Sequence, residues 1–302
     1  MKSSDPIVAL ANLTSLVLFE RDVLAYCAVH DMSKVIRYIG HEYISSDGST
    51  DPMKQVSCLI MEAGDEDLRR LVGVNGLSSC AWNMQVMRDV SQAVAQLHKG
   101  GIVHHDIKPS NVISFGAKTD PQKDMKIADL GRVVRKEKVG PFDSGWWPGD
   151  RQYSPPERWY GDIRGAIPQG WNNSREAADA YMLGSLLVYL YTGTSLQSLV
   201  MSHISPAFLP GNWTGDYNGD LLPVLVDAHA RVLNEYLLPK LTPEVADKIM
   251  EIAINLTRPD PCKRGDKKAR TQGTQPLGIN RIQQKFALLA LRCAATERGR
   301  KK

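Results

Sequence analysis

The chain lacks a long apolar run. Its most apolar stretch, residues 181–191, is far shorter than the roughly 20 residues that span a bilayer, so no membrane segment is expected. Residues 7–19 are apolar and follow Lys2, but Asn12, Thr14 and Ser15 interrupt them and Asp5 and Pro6 precede them, so a secretory leader is not expected. The five cysteines, at 27, 58, 80, 262 and 293, are odd in number and none stand in a C-x-x-C spacing. A disulfide framework or a zinc site is therefore not expected, and a soluble protein of a reducing, cytoplasmic or otherwise intracellular compartment is. His41, His203 and His229 stand at no metal-ligand spacing and read as surface or satisfied core positions. Charge of either sign is not in large excess, since the net charge is +4. The basic run KRGDKKAR at 263–270 has no interleaved aromatics, so a nucleic-acid partner is not expected.

What is present is an ordinary soluble composition, with 43% hydrophobic and 23% charged residues. The length of 302 residues suffices for one large domain or two lobes. Residues 13–30 carry Leu16, Phe19, Val23, Leu24 and Cys27 at helical spacing, with Glu20, Arg21 and Asp22 between them. Residues 35–44 and 56–61 read as strands joined by turn chemistry, SSDGSTDP. Residues 82–98 form an amphipathic helix with the stripe Trp82, Val86, Val90, Val94 and Leu97. Short strands are expected at 111–114 and 125–128, and helices at 179–191, 224–238, 243–256 and 280–294. Residues 140–156 and 205–220 are rich in Gly and Pro and read as long loops. A boundary between a mixed first part and a mostly helical second part falls near residues 62–67.

Phosphoryl transfer needs metal ions on the phosphates, a carboxylate that orients the acceptor hydroxyl, and positive charge against the transition state. The segment IVHHDIKPSNVI, residues 102–113, offers these groups. Asp106 would orient the hydroxyl, Lys108 would reach the transferred phosphate and Asn111 would bind a metal ion. Eighteen residues after Asn111, the run KIADLG delivers Asp129 to a glycine turn, a carboxylate suited to magnesium.

These residues resemble the eukaryotic-type protein kinase family, and the likeness runs in order from about residue 13 to 290. HHD, with His104 and His105, stands where the family has HRD, and DLG stands for DFG. PPE, ending at Glu157, stands for APE. Asp179 in DAYMLGSLLVYLYTG matches the buried Asp that ties down the catalytic loop, and Arg264 matches the Arg that pairs with Glu157. The run LIMEAG, with Met61, Glu62 and Gly64, resembles the last strand of the amino-terminal lobe and the nucleotide-binding hinge, with Met61 as gatekeeper. The resemblance implies an α+β, bilobal protein-kinase-like fold. Residues 1–64 would form a partial N-lobe of one helix and at least two strands, and residues 65–302 a mostly helical C-lobe. It implies a Ser/Thr protein kinase that uses ATP and Mg2+ on a protein substrate, with a regulatory protein partner as a further expectation.

Several family features are absent. No Gly-x-Gly-x-x-Gly precedes the first helix. The strand lysine that grips phosphates is missing, and the nearest match, VALA at 8–11, puts Ala11 in its place. Either Glu20 or Asp22 could hold the position of that lysine's helix partner. His105 replaces the Arg of HRD, and the segment 132–153 offers only Ser144 as a hydroxyl before Tyr153, so activation by phosphorylation of that segment is not expected. Asp150 stands where Ser/Thr kinases carry Thr. Trp146 and Trp147 in that segment are expected to pack the loop onto its own lobe. Two alternatives remain open: a pseudokinase that regulates a partner with weak or no catalysis, and a small-molecule phosphotransferase of the same superfold.

Overall fold

The structure is a computed structural model and describes residues 6–45, 47–51, 54–75, 79–116, 124–143, 149–161, 164–272 and 277–299. Trp146, Trp147 and Ser144 lie outside the described residues. The chain opens with α1 (Pro6–Val29) and continues through the antiparallel hairpin of β1 (Tyr38–Ser45) and β2 (Gln55–Met61). α2 (Leu68–Asn75) and α3 (Cys80–Lys99) follow. Four short strands then surround the catalytic segment: β3 (Ile102–Val103), β4 (Val112–Phe115), β5 (Asp124–Ile127) and β6 (Val134–Arg135). β3 pairs with β6 and β4 with β5, both antiparallel. The remainder is helical: α4 (Pro156–Trp159), α5 (Ala177–Thr192), α6 (Leu196–Ser202), α7 (Leu222–Val232), α8 (Pro243–Thr257), α9 (Lys267–Gln272) and α10 (Ile279–Gly299).

α1 lies on the β1–β2 hairpin and buries Val23, Leu24 and Cys27, with Leu59 and Met61 of β2 packed against the same core. Among the described residues, one helix and one hairpin make this lobe. Residues 8–11, the nearest match to the family's lysine strand, lie inside α1. The expected strand at 35–44 begins only at Tyr38. Its first residues instead run beside β5, where Ile36 N–H donates to Ile127 O (2.8 Å) and Ile127 N–H to Lys34 O (2.9 Å). That pairing joins the small lobe to the large one.

α5 is the centre of the large lobe. Its residues 177–191 are all buried, as suits a helix that is apolar all round. Gly193 ends it in the left-handed conformation (φ 72°), which glycine adopts at no steric cost. Gly184 lets α8 approach closely, because a Cβ there would collide with Thr257 Cγ2 and stand 2.8 Å from Leu256 Cβ. Gly184→Ala is therefore expected to destabilise the fold by about 1–3 kcal/mol in urea denaturation, despite alanine's better helix propensity.

α10 packs along α3. Ser79 Oγ caps α3 by accepting from Trp82 N–H (3.2 Å), and Glu297 Oε1 accepts from Ala81 N–H (3.0 Å). Cys80 and Cys293 are joined as a disulfide, with 5.6 Å between their Cα atoms. This corrects the expectation of no disulfide. The two cysteines are 213 residues apart, a pairing that only the α3–α10 contact creates. The helix expected at 224–238 stops at Val232, and a wider turn over 233–237 leads to Pro239, which has no N–H to continue a ladder.

His229 of α7 is buried against α8. Its Nε2 lies 2.7 Å from Thr257 Oγ1, and that hydroxyl donates to Ala253 O (2.6 Å), so Nε2 carries the proton and donates. Burial first, then Arg264 and Arg258, push this imidazole down to about 4. The folded state thus binds the His229 proton less readily than the unfolded chain. Stability from the neutral ring is complete above about pH 6.5 and falls as pH drops toward 4, by about 2 kcal/mol at pH 5. His229→Gln is expected to flatten this slope in denaturation curves taken between pH 7 and 4.5.

Candidate active site

Asp179, in the first turn of α5, is fully buried and fixes the catalytic segment from behind. Its Oδ2 accepts from His104 N–H (2.8 Å) and His98 Nε2–H (3.0 Å), and its Oδ1 accepts from His105 N–H (2.8 Å). Burial pushes this carboxyl up, but the His98 hydrogen bond and the neighbouring imidazoles outweigh it and hold it below its ordinary value. His104 Nε2–H donates to Ala128 O (3.2 Å), leaving Nδ1 to accept from Asp106 N–H (3.2 Å). His104 therefore ties the catalytic segment to the strand that leads to Asp129. His105 has a positive φ of 64° and is fully buried. Burial drives its pKa well down, with Asp179 opposing and Arg158 and Arg175 reinforcing, so the ring is neutral.

Asp106 is almost wholly buried and both carboxylate oxygens are engaged. Oδ1 accepts from Asp150 N–H (2.7 Å). Oδ2 accepts from Lys108 Nζ (2.9 Å) and Asn111 Nδ2 (3.2 Å), and Asn111 Nδ2 also donates to Asp106 O (2.9 Å). The Asp150 carboxylate stands 4.0 Å from Lys108 Nζ. Asp150 thus touches Asp106 through its backbone N–H and approaches Lys108 with its acid.

Asp129 sits at φ 62° in the turn after β5, a conformation a non-glycine residue holds only where its surroundings impose it. Its carboxylate is exposed and makes no ion pair among the described residues. The amide nitrogen of Asn111 is committed to Asp106, so its Oδ1, which Ser110 Oγ also approaches (3.3 Å), is the atom left for a ligand. An unpaired carboxylate and an amide oxygen fit a hard divalent cation such as magnesium.

Between Glu20 and Asp22, the structure turns Glu20 toward this site. Glu20 Oε1 accepts from Leu130 N–H (3.0 Å), and burial, then the charge of Asp129, raise its pKa against the stabilising N–H groups of Leu130 and Gly131. Asp22 instead pairs with Arg21 (2.7 Å) and Lys138 (3.3 Å). No lysine or arginine pairs with Glu20 among the described residues.

The linker between the lobes is closely fitted to β4. Glu62 Oε1 accepts from Lys126 Nζ (2.6 Å) and from Arg37 N–H (2.7 Å). A Cβ on Gly64 would collide with Ile113 Cγ2 and stand 3.2 Å from Ser114 O. Met61 ends β2 opposite Tyr38. Glu157 and Arg264 form a buried, two-pronged pair at 2.7 and 2.6 Å. Arg264 also donates to Arg258 O, Ala177 O and Pro259 O, so its donors are spent on partners. Sequence reasoning missed His98 and the backbone role of Asp150. The position of His98 at the carboxyl end of a helix leading into the catalytic segment was the available signal for the first.

The protein kinase domain, as a family, matches residues 13–204, and the chain belongs to it. It is 29% identical over 134 residues to Serine/threonine-protein kinase PTK2/STK2 of Saccharomyces cerevisiae, covering 43% of this chain and 16% of that protein. It is 27% identical over 207 residues to the probable serine/threonine-protein kinase PknB of Bifidobacterium longum, covering 65% of this chain and 27% of that one. Serine/threonine-protein kinase Kist of Rattus norvegicus is 28% identical over 147 residues, 48% of this chain and 33% of its own length. The chain thus spans a third or less of these relatives. Among the described residues, no helix is long and apolar enough to cross a membrane.

Proposed function

We propose that this chain is a protein kinase that moves the ATP γ-phosphate to Ser or Thr hydroxyls of a protein substrate. The observation that carries this is the state of Asp106, held on one oxygen by the Asp150 N–H and on the other by Lys108 and Asn111. A substrate hydroxyl entering beside Asp106 would find a carboxylate already oriented to take its proton, and an ammonium beside it for the transferred group. Asn111 and Asp129 would hold Mg2+, which neutralises phosphate charge when bound. Met61, Glu62 and Gly64 would line the base along the linker, with the lobe boundary after Gly64. The Glu62 side chain is committed to Lys126 and Arg37, and its N–H donates to Arg37 O (3.0 Å), which leaves its backbone carbonyl to meet a base. Glu157, Asp179 and Arg264 would be structural supports.

The pseudokinase reading has its own observation. Among the described residues Glu20 has no cationic partner and residues 8–11 are helical, so no strand lysine meets Glu20 there. The test is incubation with ATP, magnesium and casein, followed by phosphosite mapping. The kinase reading expects phosphoserine or phosphothreonine that disappears with EDTA. ATP binding by calorimetry with no modified residue would leave the regulatory module instead.

A further inference from the structure

We propose that the cleft between the carboxyl end of α3, the strap after β6 and the start of α10 binds a phosphate-bearing small molecule. The cleft is about 500 Å3, the size of a small-ligand site. It contains none of Asp106, Lys108, Asn111 or Asp129, so it is separate from the site described above.

Its walls carry Lys99 and Lys136, and neither amine has a carboxylate partner among the described residues. Glu176 also lines the cleft, but its Oε1 already accepts from Trp171 Nε1 (3.1 Å), and Asn172 adds a neutral amide. Lys99 and Lys136 thus both line a cleft whose one acid, Glu176, already accepts a hydrogen bond on one oxygen. The Lys136 backbone is fixed, since its N–H donates to Gly101 O (2.8 Å) and Gly101 turns there at φ 66°. A polar cavity with two unpaired ammonium groups suits an anion that can accept from both at once, as phosphate oxygens do.

The back wall is His98, whose side chain is only 9% exposed and bonds Asp179. Asp179 in turn holds the His104 and His105 N–H groups. An anion in the cleft would lie one hydrogen bond from the residue that anchors the catalytic segment.

The test is calorimetric titration of the full chain with inorganic pyrophosphate and, separately, with AMP, both in EDTA so that no metal bridges the probe to Asp129. Wild type is expected to bind pyrophosphate, and K99E/K136E to bind it at least tenfold more weakly. K99Q and K136Q alone are expected to weaken it several-fold each, which guards against misfolding of the double variant. AMP binding that weakens in parallel identifies a nucleotide phosphate as an acceptable source, and AMP binding unaffected by the substitutions assigns the cleft to free phosphates. Pyrophosphate affinity equal in wild type and all variants, or no binding at millimolar concentration, overturns the site. Hydrogen exchange at residues 104–106 is expected to slow with pyrophosphate, and unchanged exchange overturns the link through Asp179.

Discussion

Asp106→Asn is expected to lower kcat for phosphate transfer about a thousandfold, the loss typical of removing a positioned acid–base group. Three donors surround the carboxylate: Asp150 N–H, Lys108 Nζ and Asn111 Nδ2. Asparagine can still accept the Asp150 N–H at Oδ1, but its new NH2 group would face Lys108 Nζ and Asn111 Nδ2, which are both donors. Proton acceptance is lost and a donor clash of about 1–2 kcal/mol is added. The variant should therefore fold, with a slightly lower melting temperature. Asp150→Ala separates the two roles of its neighbour. It keeps the backbone N–H on Asp106 and removes only a carboxylate 4.0 Å from Lys108, so a far smaller change in kcat is expected. Steady-state kinetics on a protein or peptide acceptor, with thermal denaturation of each variant alongside, checks both.

The largest effect on stability is expected at the Glu157–Arg264 pair. Arg264→Leu leaves the Glu157 carboxylate buried without its cation and strands the carbonyls of Arg258, Ala177 and Pro259, a loss of about 3–5 kcal/mol. Arg264→Lys should recover only part of this, because an ammonium cannot meet two carboxylate oxygens in the fork geometry that gives 2.7 and 2.6 Å here. Adding Glu157→Gln to Arg264→Leu should cost less than the sum of the two single changes, since the amide carries no charge to strand. Denaturant melts of the four proteins measure this coupling. Additive losses would contradict a pair that acts as one unit.

The chemistry-bearing segment was legible because its groups are contiguous. Asp106, Lys108 and Asn111 lie within six residues, and that run of side chains brings them to one carboxylate. The central helix was legible from its unbroken apolar run, and the β1–β2 hairpin from turn residues between two apolar stretches. Contacts between distant elements were not. The disulfide joins cysteines in two helices, and no local spacing records which helices will touch. The choice between Glu20 and Asp22 depended on which face of α1 meets the turn after β5, and two neighbouring acids on one helix leave that open. Residues 8–11 carried little information, because four small apolar residues fit a strand and a helix equally well. Asp150 acts on Asp106 through a backbone N–H, a group every residue but proline carries, so no side chain announced it.

Among the described residues no lysine meets Glu20, while Asp106, Lys108, Asn111 and Asp129 are all present, and the two facts make opposite demands on the proposed rate. A phosphate-gripping charge is worth several kcal/mol in the transition state, of which the proposed metal ligands Asn111 and Asp129 and the proposed role of Lys108 would offset only part. A slow kinase is the expected outcome, with turnover that depends on magnesium more steeply than on any other component. Transfer of label from γ-labelled ATP to casein, followed over hours with magnesium and with EDTA, measures this most directly. The account predicts slow, magnesium-dependent labelling, and no labelling above the EDTA blank at saturating ATP would contradict it.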